Sequence, residues 1–191
     1  MAEDDCEFKY ETLMTNLFYF FETELLFCNN KPVHFNFYGD VDIQLSFNIK
    51  NKEINQIKLI DLFNNKYLYG NNKLIKLPKI LMITLLRAII NQPLINTEVE
   101  IMDELDLKGF LDKDFGNYSL STKYCLYALN ICYGTYKRSG HYYSYILING
   151  DWYQFDDTKV NKVNESIIKK DLEYVYGIYY INKEYLKAIE E

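Results

Sequence analysis

Along the 191 residues the spacing of apolar positions changes several times, and each change marks an element. Between Ala2 and Phe27, Tyr10, Leu13, Met14, Leu17, Phe18, Phe21 and Leu25 recur every three or four residues, which predicts an amphipathic helix. Glu3, Asp4 and Asp5 stand at its start, where negative charge complements the helix dipole. From Pro32 the period falls to two. Val33, Phe35, Phe37 and, past Gly39, Val41, Ile43 and Leu45 alternate with polar residues, and His34 takes the solvent parity. Ile49 to Lys76 is rich in Asn and Lys and reads mostly as turns, with one short helix or strand near Ile57 to Phe63. Leu77 to Arg87 is a continuous apolar run of strand length, the pattern of a strand buried on both faces. Two further short strands with a turn follow between Ile95 and Phe110, then a charged loop, Lys113 to Asn117. Asn161 to Lys170 reads as a loop with a helical turn, Tyr174 to Ile181 as a closing strand, and Lys183 to Glu191 as a frayed helical tail. The pattern is α+β: an antiparallel sheet with an N-terminal helix packed on it.

The most informative stretch is a hairpin. Tyr142 to Ile148 is aromatic and β-branched, Asn149-Gly150 is a two-residue turn signal, and Trp152 to Phe155 is the returning strand. With that turn Ile148 faces Asp151, and counting outward sets Tyr143 opposite Asp156 and His141 opposite Thr158. His141 and Asp156 are then diagonal neighbours on one face, and Asp157 points to the other. A carboxylate beside an imidazole holds its tautomer and stabilises the imidazolium, the base half of a nucleophilic triad. The same spacing also fits a plain polar pair at an exposed hairpin end.

Composition narrows the class. A net charge of −6 and the lack of a basic block disfavour nucleic acid and anionic membrane as partners. The uncharged run Thr12 to Phe21 is too short to span a bilayer. The four cysteines, at 6, 28, 125 and 132, form no Cys-x-x-Cys pair, so neither a metal site, another cofactor nor a disulfide framework is indicated, and an intracellular, reducing setting is expected.

Several stretches together resemble one family. Tyr124-Cys125-Leu126-Tyr127-Ala128-Leu129, Gly134, Gly140-His141-Tyr142 and Trp152-Tyr153-Gln154-Phe155-Asp156-Asp157 are similar to the His box of the ubiquitin-specific proteases. Leu77-Pro78 through Arg87 is similar to the family strand L-P-x-x-L-x-I-x-L-x-R-F. Ala2 to Phe8 is similar to its Q-Q-D-A-x-E-F segment, matching at Asp4, Glu7 and Phe8, and Phe37-Tyr38-Gly39 to the start of its fingers region. The resemblance covers residues 2–182 as a single domain, with 183–191 as a tail. It implies the palm of a papain-like cysteine peptidase, with the thumb lobe truncated and the fingers shortened. It implies hydrolysis after the C-terminal glycine of ubiquitin or a ubiquitin-like modifier, with His141 as general base and Asp156 orienting it, Asp157 secondary. Asp4, Gly140 and Tyr142 are implied to lie along the bound ubiquitin tail.

One part of the chemistry is not found. The family's nucleophile stands in a box of the form G-L-x-N-x-G-N-T-C-Y, and none of the four cysteines fits it. Cys6 falls at a variable position, Cys28 at the end of the first helix, and Cys125 in an apolar strand. Cys132 lies on the strand leading to the His141 hairpin and can approach the base, but without a helix N-terminus to favour its thiolate. The reading is therefore a deubiquitinase-family chain without turnover of its own. The alternative is a catalytically inactive ubiquitin-binding or interaction module, with a second chain covering the apolar stripe of the first helix.

Overall fold

The computed structural model describes residues 17–18, 21–28, 31–35, 44–49, 56–87, 95–112, 121–133 and 140–190. The Asp4 segment with Cys6, the Phe37–Gly39 motif, the Lys113–Asn117 loop and Gly134 lie outside these residues.

The centre is an eight-stranded sheet. Its strands are β3 (Leu45–Asn48), β6 (Ile80–Leu86), β8 (Glu104–Asp106), β9 (Lys123–Tyr133), β10 (His141–Ile148), β11 (Asp151–Asp156), β12 (Lys159–Val163) and β13 (Val175–Asn182). The order across it is β12-β11-β10-β9-β13-β6-β3, with β8 against β9. All neighbours are antiparallel except β3 and β6.

One face of this sheet is the core. Tyr145 lies opposite Leu129, Leu129 opposite Ile178, and Ile178 opposite Ile83, all at most 1 % exposed. Fully burying side chains of this size stabilises by roughly 1.5–3 kcal/mol each. Along β6, buried Leu81, Ile83 and Leu85 alternate with half-buried neighbours, so the apolar run is one-sided rather than buried on both faces. It is an antiparallel strand beside β13, and its second face needs only partial cover.

The Asn- and Lys-rich region is more ordered than its composition implies. Strand β4 (Gln56–Lys58) leads into helix α1 (Leu59–Phe63), which continues as a π-helical turn over Asn64–Leu68 before β5 (Asn72–Lys76). Leu59, Phe63 and Tyr67 fall four residues apart and are fully buried. Phe63 meets Phe47 at 5.0 Å and Phe110 at 5.4 Å between ring centroids. That apolar stripe, not the polar background, decides the local structure. Gly70 is required by close approach, because a Cβ there would stand 2.3 Å from the Lys66 carbonyl oxygen. Strand β4 pairs in parallel with β7 (Glu98–Glu100).

The predicted N-terminal helix stops earlier than its apolar stripe. Leu17 and Phe18 are helical, but Phe21–Cys28 is a strand, β1, between β2 (Lys31–Phe35) and β5. Phe21, Thr23, Leu25 and Phe27 also alternate at period two, and strand partners on both sides supply the backbone hydrogen bonds. Glu22 fixes β1 to the π turn by accepting from Tyr67 Oη at 2.7 Å and Lys66 Nζ at 3.0 Å.

One more expectation changes. Asn161–Val163 belongs to strand β12 rather than to a loop, because Asp157 turns the chain back onto β11; helix α2 (Glu165–Lys170) follows. The closing residues are helical as expected and form helix α3 (Lys183–Glu190). Asn182 Oδ1 caps it by accepting from the backbone N–H of Glu184 at 3.0 Å, and Lys183 pairs with Glu104. No helix among the described residues is long and apolar enough to cross a membrane.

Candidate active site

Local sequence builds the site. Asn149 and Gly150 adopt φ values of 51° and 82°, the left-handed pair that closes a two-residue hairpin, and Ile148 faces Asp151. The observed register runs to Ser144 opposite Phe155. The chain then turns at Asp157 and Thr158 into β12, so Thr158 does not extend the ladder towards His141.

His141 begins β10, and its Nε2 lies 2.5 Å from Asp156 Oδ1 at the end of β11. An ionised carboxylate can only accept, so Nε2 is the donor of this bond, and in the neutral ring Nδ1 is then the nitrogen with the lone pair. The side chains are 48 % and 31 % exposed, so the free nitrogen is open to a reacting group. Asp157 departs from the simple alternation. Its φ of 51° takes it out of the strand, and one of its carboxylate oxygens lies within 4.8 Å of both a His141 ring nitrogen and an Asp156 oxygen. These three groups are the one cluster among the described residues with donor atoms close enough for a cation. A metal there would compete with the His141–Asp156 hydrogen bond, and the exposed carboxylates fit an orienting role without one.

The two described thiols, Cys125 and Cys132, are placed away from the base. Cys132 is the cross-strand partner of Tyr142, whereas His141 faces Tyr133. Neighbouring cross-strand pairs alternate faces, so Cys132 lies on the opposite side of the sheet from the His141 ring. The expectation that Cys132 can approach the base is thereby corrected. Cys125 lies further back in β9, and burial pushes its thiol pKa up, the wrong direction for a nucleophile.

Gly140 and Tyr142 come together with Cys132 on that opposite face. A Cβ at Gly140 would meet the Tyr142 ring at 3.4 Å and Cys132 Sγ at 3.5 Å. The hydrogen bond with Cys132 raises the Tyr142 phenol pKa, and the ring stands edge-on to Tyr176 at 5.7 Å. Tyr142 is 58 % exposed and borders a cleft of about 330 Å³ with Thr84, Leu86, Tyr174 and Tyr176.

Sequence reasoning missed Arg87 and Asp171. Arg87 is 6 % exposed and donates to four carbonyls: Val175 at 2.6 Å, Thr97 at 2.7 Å, Ile95 at 2.9 Å and Leu172 at 3.4 Å. Burial lowers its pKa to about 10, with Glu173 opposing. An arginine closing an apolar strand was the available signal. Asp171 carries no local signal, because its partners lie far back in the chain.

The eight-stranded, mostly antiparallel sheet, with a histidine and a carboxylate on one hairpin, fits a papain-like palm fold. The family model "Ubiquitin carboxyl-terminal hydrolase" matches residues 3–180, and the chain belongs to that family. It is 33 % identical over 115 residues to mouse ubiquitin carboxyl-terminal hydrolase 17-like protein D, covering 59 % of this chain and 20 % of the relative. It is 36 % identical over 75 residues to ubiquitin carboxyl-terminal hydrolase 8 of Arabidopsis thaliana, covering 39 % and 8 %. The chain thus spans a fifth or less of the length of these relatives. Among solved structures it is similar to a yeast SAGA deubiquitinating module (TM-score 0.70, 19 % identity, 91 % of this chain and 40 % of that one). It is also similar to the SAGA Ubp8/Sgf11/Sus1/Sgf73 module bound to ubiquitin aldehyde (TM-score 0.73, 18 % identity, 93 % and 44 %).

Proposed function

We propose that this chain is the palm half of a ubiquitin-specific thiol protease machinery, working in a reducing intracellular setting. It holds the ubiquitin tail and carries the general base, while the attacking thiol comes from outside these 191 residues. The observation that carries the reading is the 2.5 Å contact of His141 Nε2 with Asp156 Oδ1 on a hairpin of this family. In the chemistry it supports, Nδ1 of His141 takes the thiol proton and the thiolate adds to the carbonyl of ubiquitin's last residue. The imidazolium, steadied by Asp156, then gives that proton to the departing amine. Asp157 adds negative charge beside the pair, and Asp4, Gly140 and Tyr142 are assigned to the tail.

The positions of Cys125 and Cys132 favour a second reading for the isolated chain, that of a module which binds ubiquitin without cutting it. The test is reaction of the 191-residue chain with ubiquitin bearing a C-terminal electrophile, beside His141→Ala and a titration with unmodified ubiquitin. Binding without adduct, in both forms, is the expected result. An adduct that depends on His141 means that one of the four cysteines is the nucleophile and overturns the external-thiol reading. No binding at high micromolar ubiquitin overturns ubiquitin recognition altogether.

A further inference from the structure

His141, Tyr143 and Tyr145 occupy alternate positions of β10 and share the face that leads from solvent into the core. The Tyr143 ring lies between the other two, 5.8 Å from the His141 ring at 36° and 5.7 Å from the Tyr145 ring at 89°. Both phenols converge on a single atom. Tyr143 Oη donates to Asp171 Oδ2 at 2.8 Å and Tyr145 Oη at 2.5 Å. Asp171 is itself fixed, since its backbone N–H donates to the Ile168 carbonyl at 2.9 Å and its carbonyl accepts from Tyr174 at 2.9 Å. Burial, followed by the bond to Asp171, raises the pKa of both phenols, so each keeps the proton it donates.

We propose that Tyr143 and Asp171 are positioning residues for His141, forming an arm that fixes the plane of the imidazole. One hydrogen bond to Asp156 fixes one ring atom but leaves the ring free to rock about the N···O axis. Among the described residues, the aromatic ring beside His141 at this half-exposed strand end is that of Tyr143. A tyrosine held at its Cα by the β9–β10 ladder and at its hydroxyl by Asp171 gives a wall that cannot swing away. The arm ties the base to the α2 corner, and Nδ1 is aimed by two constraints instead of one. The proposal rests on His141 being the base.

The test uses the full chain labelled at histidine Cε1, with His141→Gln identifying its signal against His34. Relaxation gives the order of the His141 ring in the wild type and in Tyr143→Phe, Asp171→Ala, the double variant, Tyr145→Phe and Asp156→Ala. The ring is expected to be rigid in the wild type, with an order parameter near 0.85, and to fall towards about 0.6 in Tyr143→Phe and Asp171→Ala. The double variant should fall no further than either single one, because both cut the same arm. Tyr145→Phe should lower the melting temperature as much as Tyr143→Phe and leave the His141 ring rigid. A ring equally ordered in Tyr143→Phe and wild type, a ring already mobile in the wild type, or a Tyr145→Phe effect of the same size overturns the arm. Tyr143→Phe removes one oxygen only and keeps the test alive should Asp171→Ala not fold. Loss of ring order in Asp156→Ala with silent tyrosine variants overturns the arm and leaves the His141–Asp156 pair standing. Silence in Asp156→Ala overturns the orienting role of Asp156 on which the base reading stands.

Discussion

His141 has two ring nitrogens, and the hairpin gives them separate tasks: Nε2 is bonded to Asp156 and Nδ1 is open. Because the ring is half-exposed, replacing it removes chemistry and little packing. His141→Ala should change unfolding free energy by no more than about 0.5 kcal/mol, measured by urea denaturation. A larger loss would mean that the ring is a packing residue. Gly70 is the opposite case. It takes part in no proposed chemistry, but a methyl group there collides with the Lys66 carbonyl. Gly70→Ala should cost about 1–3 kcal/mol by the same measurement, since backbone cannot yield as a flexible side chain can. His141 was found from the sequence because it follows a glycine and precedes a strand whose turn is explicit. Gly70 was not, since its need arises from a π turn that a spacing rule does not show.

At the scale of elements, Arg87 is the main polar link between β6, the segment before β7, and the start of β13. Arg87→Leu leaves four carbonyls without this donor and should cost about 2–4 kcal/mol. Arg87→Lys should recover only part of the loss, because an ammonium cannot reproduce the planar fork. Comparing the two variants by thermal unfolding separates geometry from charge: equal stability would show that only the charge matters. The strands β10, β11 and β13 were legible because each is rich in aromatic or β-branched residues beside a turn, and β9 through the family motif it carries. Strand β1 was not, since its apolar residues fit both a helical and an alternating period.

Across the whole molecule, phenols are used as buried struts. Burial raises the pKa of Tyr124, Tyr143, Tyr145 and Tyr180. Each therefore binds its proton more tightly folded than unfolded. The stability this gives is complete below the unfolded tyrosine value of about 10 and is lost as pH rises above it. The urea midpoint should hold steady to about pH 9 and fall steeply above pH 10, with tyrosinate absorbance rising in step with unfolding. Smooth ionisation of all 19 tyrosines without unfolding would contradict the strut role.

The sequence alone determined the hairpin and its register as far as Ser144 opposite Phe155, and it placed His141 near Asp156, which meet at the end of that ladder. A two-residue turn couples nearest neighbours, and no distant partner is needed to count a ladder. It also carried the family resemblance, through residues contiguous in the chain. Only the tertiary structure decided that Phe21–Cys28 is a strand, that Cys132 lies across the sheet from the base, and that Asp171 stands behind Tyr143. Strand β1 depends on β5 and Tyr143 on Asp171, partners tens of residues away, and Cys132 on its pairing with Tyr142 in the next strand. Such contacts form only when the core has closed, and no local period encodes them.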